Sequence, residues 1–184
     1  MEKRGYYFAC LDIRGKKCAV VGGGKVAERK TRSLLLCGGK VRVISPGIGK
    51  GIEKLARQGC VSHIRKPYSS KFLNGAALVI AATDNRKINA QVAKDANKRG
   101  ILVNVVDDPV LSSFILPATL RRGELAVSVS TNGASPLFAR WLKEEIGKII
   151  GPEYAALLKL MKKARLLEKA GKKAKPVKER GYLW

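Results

Sequence analysis

The strongest constraint on the fold of this chain is a glycine turn between a strand and a helix. A β-like run, Lys17–Val21, enters Gly22-Gly23-Gly24-Lys25-Val26-Ala27, and an amphipathic helical pattern follows to Leu36. The hexapeptide has the form G-x-G-x-x-A. In this motif Gly22 would make a tight turn and Gly24 would let phosphates approach the backbone. The turn therefore predicts a pyrophosphate site at the N-terminus of the helix, although an ordinary glycine-rich turn is the alternative.

The rest of the first 111 residues alternates between strand and helix patterns. The predicted strands are 40–45, 61–64, 76–81 and 101–105, and the predicted helices are a short one around 52–56 and a longer one over 86–98. Gly100 ends the longer helix just before the last strand. Residues 1–111 are therefore predicted to form an α/β domain of the Rossmann type, with a doubly wound parallel sheet.

The pattern changes after residue 111. Two β-rich runs, 114–120 and 124–131, flank a predicted hairpin turn at Arg121-Arg122-Gly123. A helix is predicted to begin at Ser135-Pro136 and a second one after Gly151-Pro152. These patterns predict three regions: a Rossmann domain at 1–111, a small β-rich region at 112–150, and a helical, Lys-rich region at 151–184. The end of the last region is predicted to be disordered or loosely helical.

Two loops at the ends of predicted strands are candidates for cofactor contacts. The second strand ends in Ser45-Pro46-Gly47, where NAD-specific sites usually carry an acidic residue for the ribose hydroxyls. The Ser45 hydroxyl could substitute, and Lys50 is near enough in sequence to meet a 2′-phosphate, so the local residues leave NAD and NADP both open. Thr83 follows the fourth strand and is either a cofactor contact or a helix cap.

Two carboxylates follow the fifth strand, where a dehydrogenase would need a base. Asp107 and Asp108 precede Pro109, so the pair is equally consistent with a simple turn. The single histidine, His63, falls in a predicted strand away from this point. No His/Cys/Asp cluster has the spacing of a tight metal site, and no bound metal is expected.

Composition indicates an anionic partner and a reducing compartment. The chain has 37 Lys and Arg against 14 Asp and Glu, a formal charge of +23, which attracts nucleic acids, acidic membranes and polycarboxylates alike. The four cysteines lack the spacing of a disulfide framework and are expected to be small core residues. No apolar run is long enough for a membrane span and no secretory signal is visible, so a cytoplasmic location is expected.

Four ordered motifs resemble those of the precorrin-2 dehydrogenase family, the N-terminal module of siroheme synthases and its stand-alone relatives. The resemblance extends over about residues 6–146. The motifs are Val21-Gly22-Gly23-Gly24-Lys25-Val26-Ala27-Glu28-Arg29-Lys30, Ala81-Ala82-Thr83-Asp84, Asn104-Val105-Val106-Asp107-Asp108-Pro109 and Ser130-Thr131-Asn132-Gly133-Ala134-Ser135-Pro136-Leu137-Phe138-Ala139-Arg140.

The resemblance implies an activity and a set of residues for it. The activity is NAD-dependent oxidation of precorrin-2, a tetrapyrrole with many carboxylates, to sirohydrochlorin. The resemblance makes Asp107 the catalytic group, with Asp108 the weaker candidate, and makes the β-rich region at 112–150 the dimerisation and substrate-cleft region of a homodimer. It assigns the cofactor to Gly22, Gly23, Gly24, Lys25, Val26, Ser45, Pro46, Gly47 and Thr83, and the tetrapyrrole to Ser130, Thr131 and Ser135.

Two other functions stay open at this level. Some members of the family also insert Fe²⁺ into sirohydrochlorin, but this chain has no obvious group for handling a metal beyond Asp107, so dehydrogenase activity alone is favoured. A regulatory Rossmann module that only senses NAD would keep the glycine turn without needing Asp107. Specific nucleic-acid binding is not expected, since no recognition helix or aromatic stacking pattern is visible. No membrane partner is expected either, since no apolar run is long enough to span a bilayer.

Overall fold

A computed structural model describes residues 5–170 of the chain. The chain divides into two compact units, Met1–Leu116 and Pro117–Trp184. The elements of the first unit are β1 (Lys17–Val21), α1 (Lys25–Leu36), β2 (Lys40–Ile44), α2 (Lys50–Arg57), β3 (Val61–Ile64), a 3-10 turn (Ser70–Leu73), β4 (Leu78–Ala81), α3 (Arg86–Lys98) and β5 (Leu102–Val105). Those of the second unit are β6 (Ala118–Arg122), β7 (Leu125–Val129), α4 (Pro136–Ile149) and α5 (Glu153–Lys169).

The first unit contains a five-stranded parallel sheet with the strand order β3-β2-β1-β4-β5. The chain reverses its direction of travel across the sheet between β1 and β4, and such switch points open a crevice at the carboxyl ends of the strands. The predicted Rossmann-type α/β fold is therefore confirmed.

The two faces of the sheet are covered by different helices. Because side chains alternate along a strand, Cys18 and Val20 of β1 pack with Ala27 of α1 and Ile52 of α2. The remaining buried residues of β1 pack on the other face with α3 and the 3-10 turn. The result is a three-layer arrangement that leaves the strand ends as the place for loops with functional side chains.

The second unit is a hairpin with two helices. Strands β6 and β7 pair antiparallel, and Gly123 turns the chain between them with a φ of +59°. Helix α4 packs on both strands and α5 packs on β7. The predicted small β-rich region and C-terminal helices are thus present, while the finer predicted boundary at residue 150 stays a prediction.

Several local expectations differ from the structure. The first run of the hairpin was expected from Phe114, but β6 begins at Ala118. Of the four cysteines, Cys18 is buried, whereas Cys10 and Cys60 are exposed, so the expectation of core positions is wrong for these two. Helix α5 continues to Lys169, and the remainder of the predicted Lys-rich region, 171–184, lies outside the described residues. Over residues 5–170, no helix combines the length and the apolar character that crossing a bilayer requires.

Candidate cofactor and catalytic site

The glycine turn after β1 has a backbone that only glycine accommodates. Gly22 has a φ of +126°, and its N–H donates to the carbonyl of Ile44 at 3.0 Å. A Cβ on Gly22 would overlap the carbonyl oxygen of Ala82, which follows β4. The turn therefore lies directly at the switch point, where β1 and β4 are neighbours.

The N-terminus of α1 is open to a ligand. Gly24 is the N-cap residue, no side chain caps the helix, and a Cβ on Gly24 would have no heavy atom within 4 Å. The N–H groups of the first turn therefore keep their hydrogen-bonding capacity, and the helix dipole favours an anion at this point. Open space at Gly24 beside free N–H groups fits a pyrophosphate, so the residues present match a dinucleotide cofactor.

The loop after β2 packs against the glycine turn. The Ser45 hydroxyl donates to the carbonyl of Gly47 at 2.6 Å, and the N–H of Gly49 donates to the carbonyl of Gly23 at 2.9 Å. Since the Ser45 proton is engaged inside the loop, its oxygen is left only as an acceptor toward a ribose hydroxyl. The glycine turn and the Ser45–Gly47 loop thus lie together, and their contact with a cofactor stays a prediction.

His63 lies next to this loop. Its strand, β3, is at the opposite edge of the sheet from β5, so the expectation that His63 falls away from the two acids is confirmed. Its Nε2 is 2.9 Å from the carbonyl oxygen of Ser45. Sequence reasoning missed this contact because His63 is on β3, and only the parallel pairing of β3 with β2 brings it to the end of the neighbouring strand.

Thr83 is engaged by the start of α3. Its hydroxyl donates to Oδ1 of Asn89 at 2.8 Å, and the Asn89 amide donates back to the Thr83 carbonyl at 2.8 Å. The cap of α3 is Asn85, whose side chain accepts from the N–H groups of Lys87 and Ile88. The capping alternative for Thr83 is therefore wrong, and its role as a cofactor contact stays a prediction.

The two acids after β5 differ in their surroundings. Asp107 is exposed, has a φ of +61°, and accepts no hydrogen bond from the residues that the structure describes. Asp108 instead accepts from the N–H groups of Val110 and Leu111, both at 3.1 Å, and so closes the turn. A carboxylate held in a left-handed conformation, with no hydrogen-bond partner among the described residues, is free to act on a ligand, and this distinguishes Asp107 from its neighbour.

A cavity of about 370 Å³ connects the ends of β4 and β5. Its lining is polar and includes Thr83, Asp84, Arg86, Asn89, Asp107 and Asp108. The N–H of Val106 donates to the carbonyl of Ala81 at 2.9 Å, which keeps the two strand ends together. Thr83 and Asp107, which are far apart in sequence, thus share one cavity.

Lys30 of α1 is electrostatically coupled to this region. Burial is the main cause that lowers the pKa of its ammonium group, and Arg29 lowers it further, whereas the Asp107 carboxylate acts in the opposite direction.

Among residues 5–170, no group of three or more His, Cys, Asp or Glu side chains is arranged to hold a metal ion.

The residues predicted to bind the tetrapyrrole lie together in the loop between β7 and α4 of the second unit. Ser135 caps α4 by accepting from the N–H of Phe138 at 3.2 Å, and Thr131 accepts from the N–H of Ser135 at 3.0 Å. The Ser130 hydroxyl accepts from the N–H of Asn132 at 3.1 Å. All three hydroxyls therefore shape the loop, and their contact with substrate stays a prediction.

Comparison with known proteins assigns the first unit. Residues 9–118 match the family model described as putative NAD(P)-binding. The chain belongs to this NAD(P)-binding family. The predicted nicotinamide dinucleotide cofactor is thereby confirmed, in agreement with the open N-terminus of α1. Residues 122–149 match a second model, described as the central part of a sirohaem biosynthesis protein.

Relatives and a solved structure resemble most of the chain. A siroheme synthase of Photobacterium profundum is 42% identical over 76% of this chain, and one of Chromobacterium violaceum is 40% identical over 80%. The chain spans about a third of the length of these relatives, 30% and 31%. The structure of SirC, a precorrin-2 dehydrogenase, matches this chain with a TM-score of 0.78 at 27% identity. The match covers 95% of this chain and 85% of the SirC chain. The resemblance inferred from the four motifs is confirmed.

Proposed function

We propose that the chain catalyses the NAD-dependent oxidation of precorrin-2 to sirohydrochlorin, a step of siroheme biosynthesis. The observation that carries the proposal is the likeness of nearly the whole chain, both units included, to a precorrin-2 dehydrogenase. A module that only senses NAD would need the first unit alone, whereas here the second unit also matches a sirohaem biosynthesis model.

The proposed cofactor site uses the backbone of Gly22 through Val26 for the pyrophosphate. The Ser45–Gly47 loop lies where the adenosine ribose belongs in this fold, and Thr83 lies where the nicotinamide half passes the end of β4. When bound, NAD accepts the hydride equivalent that the oxidation removes. The local residues carry no acid at the end of β2, so the preference for NAD over NADP is part of the proposal.

Asp107 is the proposed base. Oxidation of precorrin-2 removes two hydrogens, one as the hydride equivalent and one as a proton, and the Asp107 carboxylate takes the proton. Its exposure to the cavity and its lack of hydrogen-bond partners among the described residues leave both oxygens available. Asp108 is a poorer candidate because its oxygen already accepts two backbone N–H groups.

The remaining parts of the proposal concern the substrate, the assembly and the compartment. The charge of +23 favours the many carboxylates of a tetrapyrrole, and Ser130, Thr131 and Ser135 are the proposed contacts in the second unit. Exposed apolar side chains on α4 and α5 support a homodimer. Four free cysteines are typical of a reducing compartment, which supports a cytoplasmic location.

The decisive experiment is anaerobic turnover of precorrin-2 with NAD⁺ and, separately, with NADP⁺, followed by the absorbance of sirohydrochlorin. The key variant is Asp107→Asn, because asparagine tolerates the φ of +61° and keeps the size of the side chain while removing the base. We expect kcat to fall by about 10²–10⁴, the usual contribution of a general base. NADH binding should persist.

A comparison with Asp108→Asn assigns the base to one of the two acids. Asparagine keeps the oxygen that accepts from Val110 and Leu111, so this variant should fold normally and retain most of its turnover. Absence of product from a folded wild type that binds NADH would refute the dehydrogenase proposal and favour a sensor. Adding Fe²⁺ to the product in the same assay measures chelatase activity, which this proposal does not assign.

A further inference from the structure

The single histidine of the chain makes a hydrogen bond to the cofactor loop. His63 is half-buried on β3, and its Nε2 is 2.9 Å from the carbonyl oxygen of Ser45. A carbonyl oxygen only accepts hydrogen bonds, so the Nε2 atom carries the hydrogen and donates it. The bond links the edge strand of the sheet to the loop that follows β2.

The loop is held by few other bonds. The Ser45 N–H donates to the carbonyl of Ile64 at 3.2 Å, and the Ser45 hydroxyl donates to Gly47 at 2.6 Å. The second bond is internal to the loop and does not anchor it to the sheet. The two hydrogen bonds that join the Ser45 backbone to the sheet therefore both come from β3, and His63 supplies the side-chain one.

The same loop also contacts the glycine turn after β1. The Gly49 N–H donates to the Gly23 carbonyl at 2.9 Å, and a Cβ on Gly23 would overlap the carbonyl oxygen of Gly47. The two backbones are thus in close contact, and Gly23 directly precedes Gly24, the N-cap of α1. A displacement of Ser45–Gly47 would be passed to the turn that faces the pyrophosphate.

We infer that His63 is a positioning residue of the cofactor site: its Nε2–H holds the Ser45–Gly47 loop against the glycine turn and thereby sets the affinity for the adenosine half of the dinucleotide. His63 acts through Ser45, without contacting the cofactor. The role matters here because β2 ends without the acidic side chain that usually fixes the ribose, so backbone placement of the loop carries more of the recognition. The inference rests on the proposed cofactor site.

The test measures NADH binding to the full chain by fluorescence titration. His63→Leu removes the donor, whereas His63→Gln keeps an N–H at a similar distance from the backbone. Ser62→Ala is the matched control, because Ser62 is the exposed neighbour on the same strand. We expect the Kd for NADH to rise about fivefold to tenfold in His63→Leu, which is the size of one lost hydrogen bond. The glutamine variant and the control should stay near the wild type.

Kinetics separate positioning from a general loss of structure. With precorrin-2 as substrate, His63→Leu should raise KM for NAD⁺ and leave kcat at saturating NAD⁺ unchanged. If the leucine variant unfolds, His63→Asn, whose amide is too short to reach Ser45, takes its place. Wild-type affinity in the folded leucine or asparagine variant would overturn the inference, as would equal weakening by leucine and glutamine. A wild type that binds NADH without turning over precorrin-2 would refute the proposed function alone.

Discussion

At the scale of single residues, Gly23 offers the sharpest test of the cofactor site. A methyl group at this position would overlap the backbone carbonyl of Gly47, which has no flexible end that could move away. We expect Gly23→Ala to lower the free energy of unfolding by about 1–3 kcal/mol, as overpacking usually does. Because the turn must also shift, the Kd for NADH should rise about tenfold or more, equivalent to about 1.4 kcal/mol. Urea unfolding and fluorescence titration measure the two effects.

Gly49 provides the matched control for that substitution. A Cβ on Gly49 would lie 3.5 Å from the carbonyl oxygen of Gly23, an ordinary contact, and its φ of −71° suits any residue. Gly49→Ala should therefore bind NADH like the wild type. Equal affinity of Gly23→Ala and Gly49→Ala for NADH would show that the close approach of the two loops is not needed for binding.

The residue scale also shows what the sequence could and could not predict about the site. The glycine turn was predictable because steric limits on the backbone leave a pattern in the sequence itself. The engagement of Thr83 by Asn89 and the contact of His63 with Ser45 were not, since each depends on a partner six or eighteen residues away. The left-handed conformation of Asp107 has no sequence signal apart from its place after a strand.

At the scale of secondary-structure elements, Ser135 has two roles that substitutions can separate. Its hydroxyl caps α4, and losing such a cap costs about 1 kcal/mol. Ser135→Ala should therefore lower the free energy of unfolding by this amount, while Ser135→Asp, which also caps, should keep it. If Ser135 contacts the carboxylates of the tetrapyrrole, the aspartate should raise KM for precorrin-2 through like-charge repulsion. An unchanged KM in Ser135→Asp would remove Ser135 from the substrate site.

Elements were predictable where one local signal dominates. Alternating apolar residues and helix-ending glycines placed the parallel strands and α1 and α3 closely. The start of β6 was not predictable, because residues 112–114 are hydrogen-bonded to β5 instead of continuing the hairpin strand. The hydroxyls of Ser112 and Ser113 accept from the N–H groups of Val105 and Val103, and the Phe114 carbonyl accepts from Asn104. A β-rich composition alone does not reveal such side-chain bonding.

At the scale of the whole molecule, the exposed apolar side chains of the second unit predict self-association. Leu137 is 78% exposed and Trp141 52%, while Leu160 and Leu166 are exposed on α5. Exposed apolar side chains in such number are unfavourable in water, and a second copy of the chain would cover them. We expect light scattering to give twice the mass of one chain for the wild type and the mass of one chain for Trp141→Glu.

The control is Leu36→Glu, which changes an exposed leucine of the first unit and should leave the protein dimeric. A monomeric wild type at micromolar concentration would contradict the proposed homodimer while leaving the NADH-binding predictions intact, because every residue that they involve lies in the first unit.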